Sequence, residues 1–246
     1  MPNRPEDWIV PDWAAPQRVR ALITSRNGGV GTGPYASMNL GLRVDDDPHT
    51  VAANRRLLKH FLPAEPRWLE QVHGTTVVDA QSVTHPVAAD ASIAKNPGCV
   101  SVVTVADCLP ILFAERTGKV VAAAHAGWRG LAAGIIENTI RALETSPQNL
   151  LAYLGPAIGP SAFEVGDEVR DAFVAVDRAA INAFHPHKPG KWLADLFMLA
   201  RQRLAKADVL NVYGGGLCTY SNPARFFSHR RDKVSGRMAA LIWIED

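Results

Sequence analysis

The chain has 246 residues, with Lys+Arg 26 against Asp+Glu 24, a formal net charge of +2, and 47% hydrophobic residues. That balance excludes a strongly basic nucleic-acid binder and an acidic tail protein, and it suits a globular chain that buries a core without staples. No apolar run approaches the roughly 18 residues of a membrane span, and Met1 to Asp7 carry prolines and acids where a secretory signal needs an apolar stretch.

The segment to about Pro16, rich in Pro, Trp and charge, reads as an arm over the body of a single domain spanning 1–246. Val19 to Ile23 is a short strand, followed by a glycine-rich loop from Ser25 to Tyr35. Asp47 and Pro48 open a helix as N-cap and first helical residue, and it runs to about Phe61 with Val51, Leu57, Leu58 and Phe61 on its apolar side. The middle is strand-rich. Thr75 to Val78, Val100 to Val105, Leu109 to Ala114 and Val120 to Ala124 are β-branched or apolar runs, with a turn at Thr117-Gly118. A helix over Gly130 to Leu143 and a strand over Leu151 to Leu154 lead into a loop, Gly155 to Pro160. Helices are expected at Asp167 to Val176 and Leu193 to Lys206, the second with Leu193, Leu196, Ala200 and Leu204 on one face. Val209 to Tyr213 and Met238 to Ile244 close the chain as strands. Strands and helices do not alternate strictly, so the pattern predicts an α+β sandwich of mixed sheets rather than a Rossmann or barrel fold.

The glycine loop has phosphate-loop spacing between Gly28 and Gly33, but Pro34-Tyr35 stands where Lys-Ser/Thr must be. A dinucleotide fingerprint fails as well, because Pro34 replaces its last glycine. A tight structural loop, or one that shapes a small-molecule pocket, remains.

Three segments carry chemistry: Glu70-Gln71-Val72-His73-Gly74, Ala106-Asp107-Cys108-Leu109-Pro110 and His125-Ala126-Gly127-Trp128-Arg129-Gly130. In each, the His or Cys is expected at a strand end, where a rigid sheet aims side chains from loops. The separations, 35 and 17 residues, are unlike the paired spacing of a zinc finger and compatible with an open site built from distant strands. Two neutral imidazoles and a thiolate suit Zn²⁺ with a fourth position free for water or a phosphate oxygen. The competing reading is a satisfied structural histidine and a core cysteine. Cys99 and Cys218 are read as structural, and an odd cysteine count without an export signal points to the reducing cytoplasm.

These motifs resemble those of the YfiH-type family, also called the multicopper polyphenol oxidase or laccase-domain family, which includes purine nucleoside phosphorylases and the peptidoglycan editing factor. The resemblance covers most of the chain. Arg26-Asn27-Gly28-Gly29-Val30 and Gly33 to Gly41 match its N-terminal motif. Gly155 to Pro160 with Phe163 to Gly166, Cys218-Thr219-Tyr220, Ser228 to Arg231 and Gly236 to Ala239 match later ones. Gly31 stands where a serine is expected, and Val44-Asp45 replaces a usual glycine. The resemblance implies a zinc site of His73, Cys108 and His125 and a layered α/β/β/α fold of the YfiH-like cysteine hydrolase type. It implies cytoplasmic action on nucleosides: phosphorolysis of adenosine, inosine and 5′-methylthioadenosine, and deamination of adenosine. Copper-dependent phenol oxidation is also ascribed to the family.

Around the expected site each residue has a functional and a plainer reading. Asp107 accepts a ligand histidine's second N–H, or bonds its own backbone in a turn. Arg129 binds an anionic group or pairs at the surface, and Arg230 with Arg231 clamps phosphate or forms a solvated turn. Asn39 and Tyr35 read and stack on a purine, or fasten a loop. Glu164 is a general acid/base or a helix-start carboxylate, while His185 and His187 form a second metal site or, more simply, loop surface. The competing functions are a zinc-dependent nucleoside enzyme, a metal-free cysteine hydrolase with Cys108 as nucleophile, a copper oxidase, and a binding protein; a peptidoglycan-precursor amidase fits the hydrolase or the zinc site. A nucleoside and phosphate are the expected partners, with no nucleic acid or membrane.

Overall fold

The computed structural model describes residues 4–246. In chain order the elements are β1 Val19–Ile23, α1 Pro48–Lys59, β2 Val77–Asp79, β3 Ala91–Ala94, β4 Ser101–Val105, β5 Leu109–Glu115 and β6 Val121–Ala126. There follow α2 Trp128–Ala133, α3 Ile135–Ala142, β7 Leu150–Leu154, β8 Glu164–Gly166, α4 Asp167–Val174, β9 Phe184–Lys188 and β10 Lys191–Ala194. The chain ends with α5 Leu196–Lys206, β11 Asn211–Gly214, α6 His229–Asp232 and β12 Met238–Ile244. Among the described residues no helix is long and apolar enough to cross a membrane.

Two sheets form the body. One is antiparallel in the order β1-β12-β4, and the other is mixed, in the order β11-β7-β5-β6-β3-β2. Side chains alternate across each strand with period two. In β12, Ala240, Ile242 and Ile244 face the second sheet, while Ala239, Leu241 and Trp243 face Leu58 of α1. In β6, Val121 and Ala123 face the first sheet, while Ala122, Ala124 and Ala126 face the layer that includes α3 and α5. The order of layers is therefore helix, sheet, sheet, helices. A third small antiparallel sheet, β8-β10-β9, stands beside the helical layer.

Met238–Ile244 and Val19–Ile23 form as strands with the predicted bounds, and Asp47 caps α1 by accepting from His49 N and Thr50 N. The arm is pinned by Ile9 bridging Ile23 and by Trp8 packing edge-on against Phe61; its expected residues 1–3 lie outside the described residues. Three expectations change. The helix over Gly130 to Leu143 is two helices, because Gly134 adopts φ +105°, a left-handed turn that glycine tolerates. Leu193 belongs to β10, since Asp195 caps α5 through Met198 N and starts the helix later. His185 and His187 lie on an exposed strand, not a loop, and Pro186 is tolerated there because β9 is an edge strand.

The buried stripe of α1 is Val51, Asn54 and Leu58, so an amide sits where helical periodicity asks for an apolar residue. Asn54 accepts from Val30 N and donates to the carbonyls of Ser37 and Asn39, while Ser37 takes Gly29 N on its hydroxyl and Gly31 N on its carbonyl. The glycine loop thus spends the N–H groups of Gly29, Val30 and Gly31 within the fold. Asn54→Ala removes three hydrogen bonds, one of them the buried bond to Asn39 O, so it should lower unfolding free energy by about 3 kcal/mol, read by denaturant titration.

Candidate metal centre

β3 and β6 are antiparallel neighbours, and their register sets Asp90 beside His125, whose backbone N–H donates to Asp90 O at 2.7 Å. The His125 side chain shares the face of Val121 and Ala123, so it points into the layer between the two sheets. His125 Nδ1 lies 2.8 Å from Asp90 Oδ1, and both side chains are buried. An ionised carboxylate only accepts, so Nδ1 carries the proton and Nε2 is left as the ligand atom.

The same carboxylate builds the second ligand. Asp90 accepts backbone N–H from Val72, His73 and Gly74 at 3.2, 2.9 and 2.6 Å. These bonds hold His73 at φ +60°, a left-handed conformation unusual for a residue with a side chain. Gln71 fixes the segment from the other side: its Oε1 accepts from Thr104 N and Oγ1, and its Nε2 donates to Thr104 O. His73 therefore sits in a braced loop before β2 rather than at a strand end.

Cys108 lies in the short turn that carries the chain from β4 in one sheet to β5 in the other. Asp107, at φ +89°, anchors this turn by accepting from Thr219 Oγ1 at 2.6 Å and from Arg230 N at 2.6 Å. It does not bond a ligand histidine; Asp90 does that for His125.

The three side chains meet. The candidate ligand atoms of His73, Cys108 and His125 all lie within 4.8 Å of one another, with Cys108 Sγ 3.8 Å from His73 Nε2. Burial opposes ionisation of the Cys108 thiol, but the His125 and His73 imidazoles outweigh it and bring it down to about 6. Burial also opposes charging of His125, and the Cys108 sulfur and the Asp90 carboxylate outweigh that, raising it to about 9. A thiolate beside imidazoles is a donor set suited to a borderline-soft divalent ion. The backbone at Gly127 leaves no room for a side chain beside these groups: a Cβ there would lie 3.0 Å from Cys108 Sγ and 2.9 Å from His73 Cδ2. Among the described residues this is the one such group of three or more potential ligands.

The centre opens into a cavity of about 610 Å³, walled by Trp68, Val102, Thr104, Arg43, Arg55 and Arg237 among others. The other residues singled out in the sequence lie elsewhere. Asn39 is buried, with Oδ1 accepting from Gly41 N and Arg237 N and Nδ2 donating to Asp46. Arg129 is exposed and stacks over Trp128, while Arg230 donates to Glu164 O and stacks over Phe163. Tyr35 donates to Val44 O, and Arg231 pairs with Asp232. Glu164 pairs with Lys188 and His187 on the small sheet. Sequence reading missed Asp90, Arg55, Trp68 and Arg237 as site residues. The signal for Asp90 was a carboxylate opening a run of small apolar residues, which by itself marks any turn.

Two substitutions check this centre. Gly127→Ala should leave a folded protein that binds less than half the metal per chain of the parent, measured by elemental analysis after desalting. Asp90→Asn should weaken metal binding roughly 10- to 100-fold in competition with a chromogenic chelator, because the imidazole loses its charged brace.

A family model described as multi-copper polyphenol oxidoreductase laccase matches residues 20–245. The chain is 54% identical over 240 residues to a purine nucleoside phosphorylase of Pseudomonas aeruginosa, covering 97% of this chain and 99% of the relative. It is 52% identical over 239 residues to the purine nucleoside phosphorylase YfiH of Escherichia coli, covering 96% and 98%. A solved Neisseria meningitidis protein superposes with a TM-score of 0.95 at 47% identity, covering 98% of this chain and 100% of that one. YlmD from Geobacillus stearothermophilus superposes at 0.84 with 34% identity, covering 94% and 93%. The shared motifs, the layered sheets and these likenesses place the chain in the YfiH-type, laccase-domain family.

Proposed function

We propose that the chain is a cytoplasmic, zinc-dependent purine nucleoside phosphorylase acting on adenosine, inosine and 5′-methylthioadenosine, with adenosine deamination as a second activity. The observation that carries this reading is the convergence of His73, Cys108 and His125 on a cavity of about 610 Å³, a volume suited to a small molecule. The names borne by the Pseudomonas aeruginosa and Escherichia coli relatives direct it to purine nucleosides.

His73, Cys108 and His125 would hold the ion, which when bound supplies a positive centre with an open position for an oxygen of the reactant. The chain's own residues do the rest. Asp90 holds His125 as the Nδ1–H tautomer and fixes the loop of His73. Trp68, Val102 and Leu69 offer an apolar wall for the base, and Asn39 holds the wall at Gly41 and Arg237. In phosphorolysis a phosphate oxygen bonds C1′ as the C1′–N9 bond breaks. The electron pair leaves with the base, and the proton carried by phosphate ends on the purine. Arg230, through its backbone N–H on Asp107, acts on the Cys108 turn from behind.

A second reading is favoured by the lowered Cys108 thiol beside two imidazoles: a metal-free cysteine hydrolase, for example an amidase acting on a peptidoglycan precursor. Copper oxidation fits as a side activity of one ion, since the described residues gather one ligand set and a coupled cluster needs several.

Zinc-loaded protein should release hypoxanthine from inosine only when phosphate is present. Chelation should abolish turnover and zinc restore it, and Cys108→Ala should lower kcat/KM at least about 100-fold. Turnover that survives chelation but is lost on alkylating Cys108 would favour the cysteine hydrolase instead.

A further inference from the structure

Three arginines wall the cavity, and their partners separate them. Arg43 is an exposed ion pair with Glu70 at 2.7 Å. Arg55 and Arg237 form no ion pair among the described residues. Arg55 gives Nε and Nη2 to Leu40 O at 3.1 and 2.8 Å, and its guanidinium lies 3.7 Å over the Trp68 ring. Arg237 bonds through Nη1 alone, to Ser235 O, Ser235 Oγ and Gly236 O at 2.8, 3.3 and 3.0 Å.

Among the described residues the Nε–H and Nη2–H edge of Arg237 therefore has no protein acceptor, and that edge is the one that grips two oxygens of a phosphate in parallel. The stem is given its place by Gly41, where a Cβ would lie 2.7 Å from Arg237 Cγ. Its backbone is fixed on both sides, by Arg237 N donating to Asn39 Oδ1 and Arg237 O accepting from Leu40 N. Burial lowers the Arg237 pKa, and the nearby Cys108 and Asp107 charges offset this only in part, so the cation is short of negative charge. The Arg237 guanidinium is partly buried and stands on the wall it shares with Cys108 and His125.

We infer that Arg237 is the residue that grips inorganic phosphate in this cavity, through its Nε–Nη2 edge, with the Arg55 cation beside Trp68 adding attraction. This rests on the phosphorylase reading and replaces Arg129 and Arg230 as the phosphate-binding arginines, since neither lines the cavity.

The test uses metal-loaded protein and reads KM for phosphate and KM for inosine separately, together with calorimetric titration of inorganic phosphate in the absence of nucleoside. Arg237→Met should raise the phosphate KM roughly 10- to 100-fold, the loss expected for charge-assisted hydrogen bonds, and abolish calorimetric binding, while the inosine KM stays within about two-fold. Arg237→Lys keeps the charge without the fork and should raise the phosphate KM several-fold; it decides the matter if the methionine variant does not fold. Wild-type turnover that needs no phosphate would remove the phosphorylase reading itself. Phosphate-dependent turnover whose phosphate KM is unchanged in the folded variants would overturn the Arg237 assignment alone. So would Arg237-dependent binding of inosine 5′-monophosphate without binding of inorganic phosphate, because the anion would then be part of the nucleotide.

Discussion

A carboxylate with no contact with water must find all of its partners inside the protein, and Asp90 finds them in two places at once. One oxygen takes the His125 ring N–H and the His73 backbone N–H, and the other takes the N–H groups of Val72 and Gly74. An unpaired buried carboxylate would cost several kcal/mol, so the loop that carries His73 and the strand that carries His125 are held to the same point. The fold supplies this for free at one end: antiparallel pairing of β3 with β6 sets Asp90 beside His125 before any side chain is chosen. At the other end the loop must adopt a left-handed residue, and Gln71 braces it by pairing with Thr104 as a strand would.

The third candidate ligand depends on a different constraint. Cys108 is on the turn that leaves one sheet for the other, so its position reports how the two sheets are stacked. Asp107 ties that turn to Thr219 and to the N–H of Arg230, segments far along the chain. Within the motifs at residues 218–220 and 228–231, Thr219 and Arg230 thus support the Cys108 turn.

Much of this was legible in the sequence, for reasons that differ by element. Met238–Ile244 is apolar throughout because both faces of β12 are covered, and Asp47-Pro48 is a cap with a donor-free first position, so both read from local chemistry. β3 went unread because Ala91–Ala94 has little strand propensity; only its burial between neighbours makes it a strand. The small sheet went unread because its strands are short and charged and include Pro186. His73, Cys108 and His125 stood out by motif. Asp90, Trp68, Arg55 and Arg237 did not, because each gains its role from partners brought near only by folding. Asn39 and Arg230 looked like substrate contacts; in the fold Asn39 spends its amide on Gly41, Arg237 and Asp46, while Arg230 gives Nη1 to Glu164 O and its backbone N–H to Asp107.

In the proposed centre one sulfur and two imidazoles jointly hold a single ion. X-ray absorption at the edge of the metal that co-purifies with the chain reads that donor set directly. One sulfur and two imidazole nitrogens, with the sulfur shell lost in Cys108→Ser, is the predicted spectrum. A metal shell without sulfur in the parent protein, or one unchanged by that substitution, would contradict it.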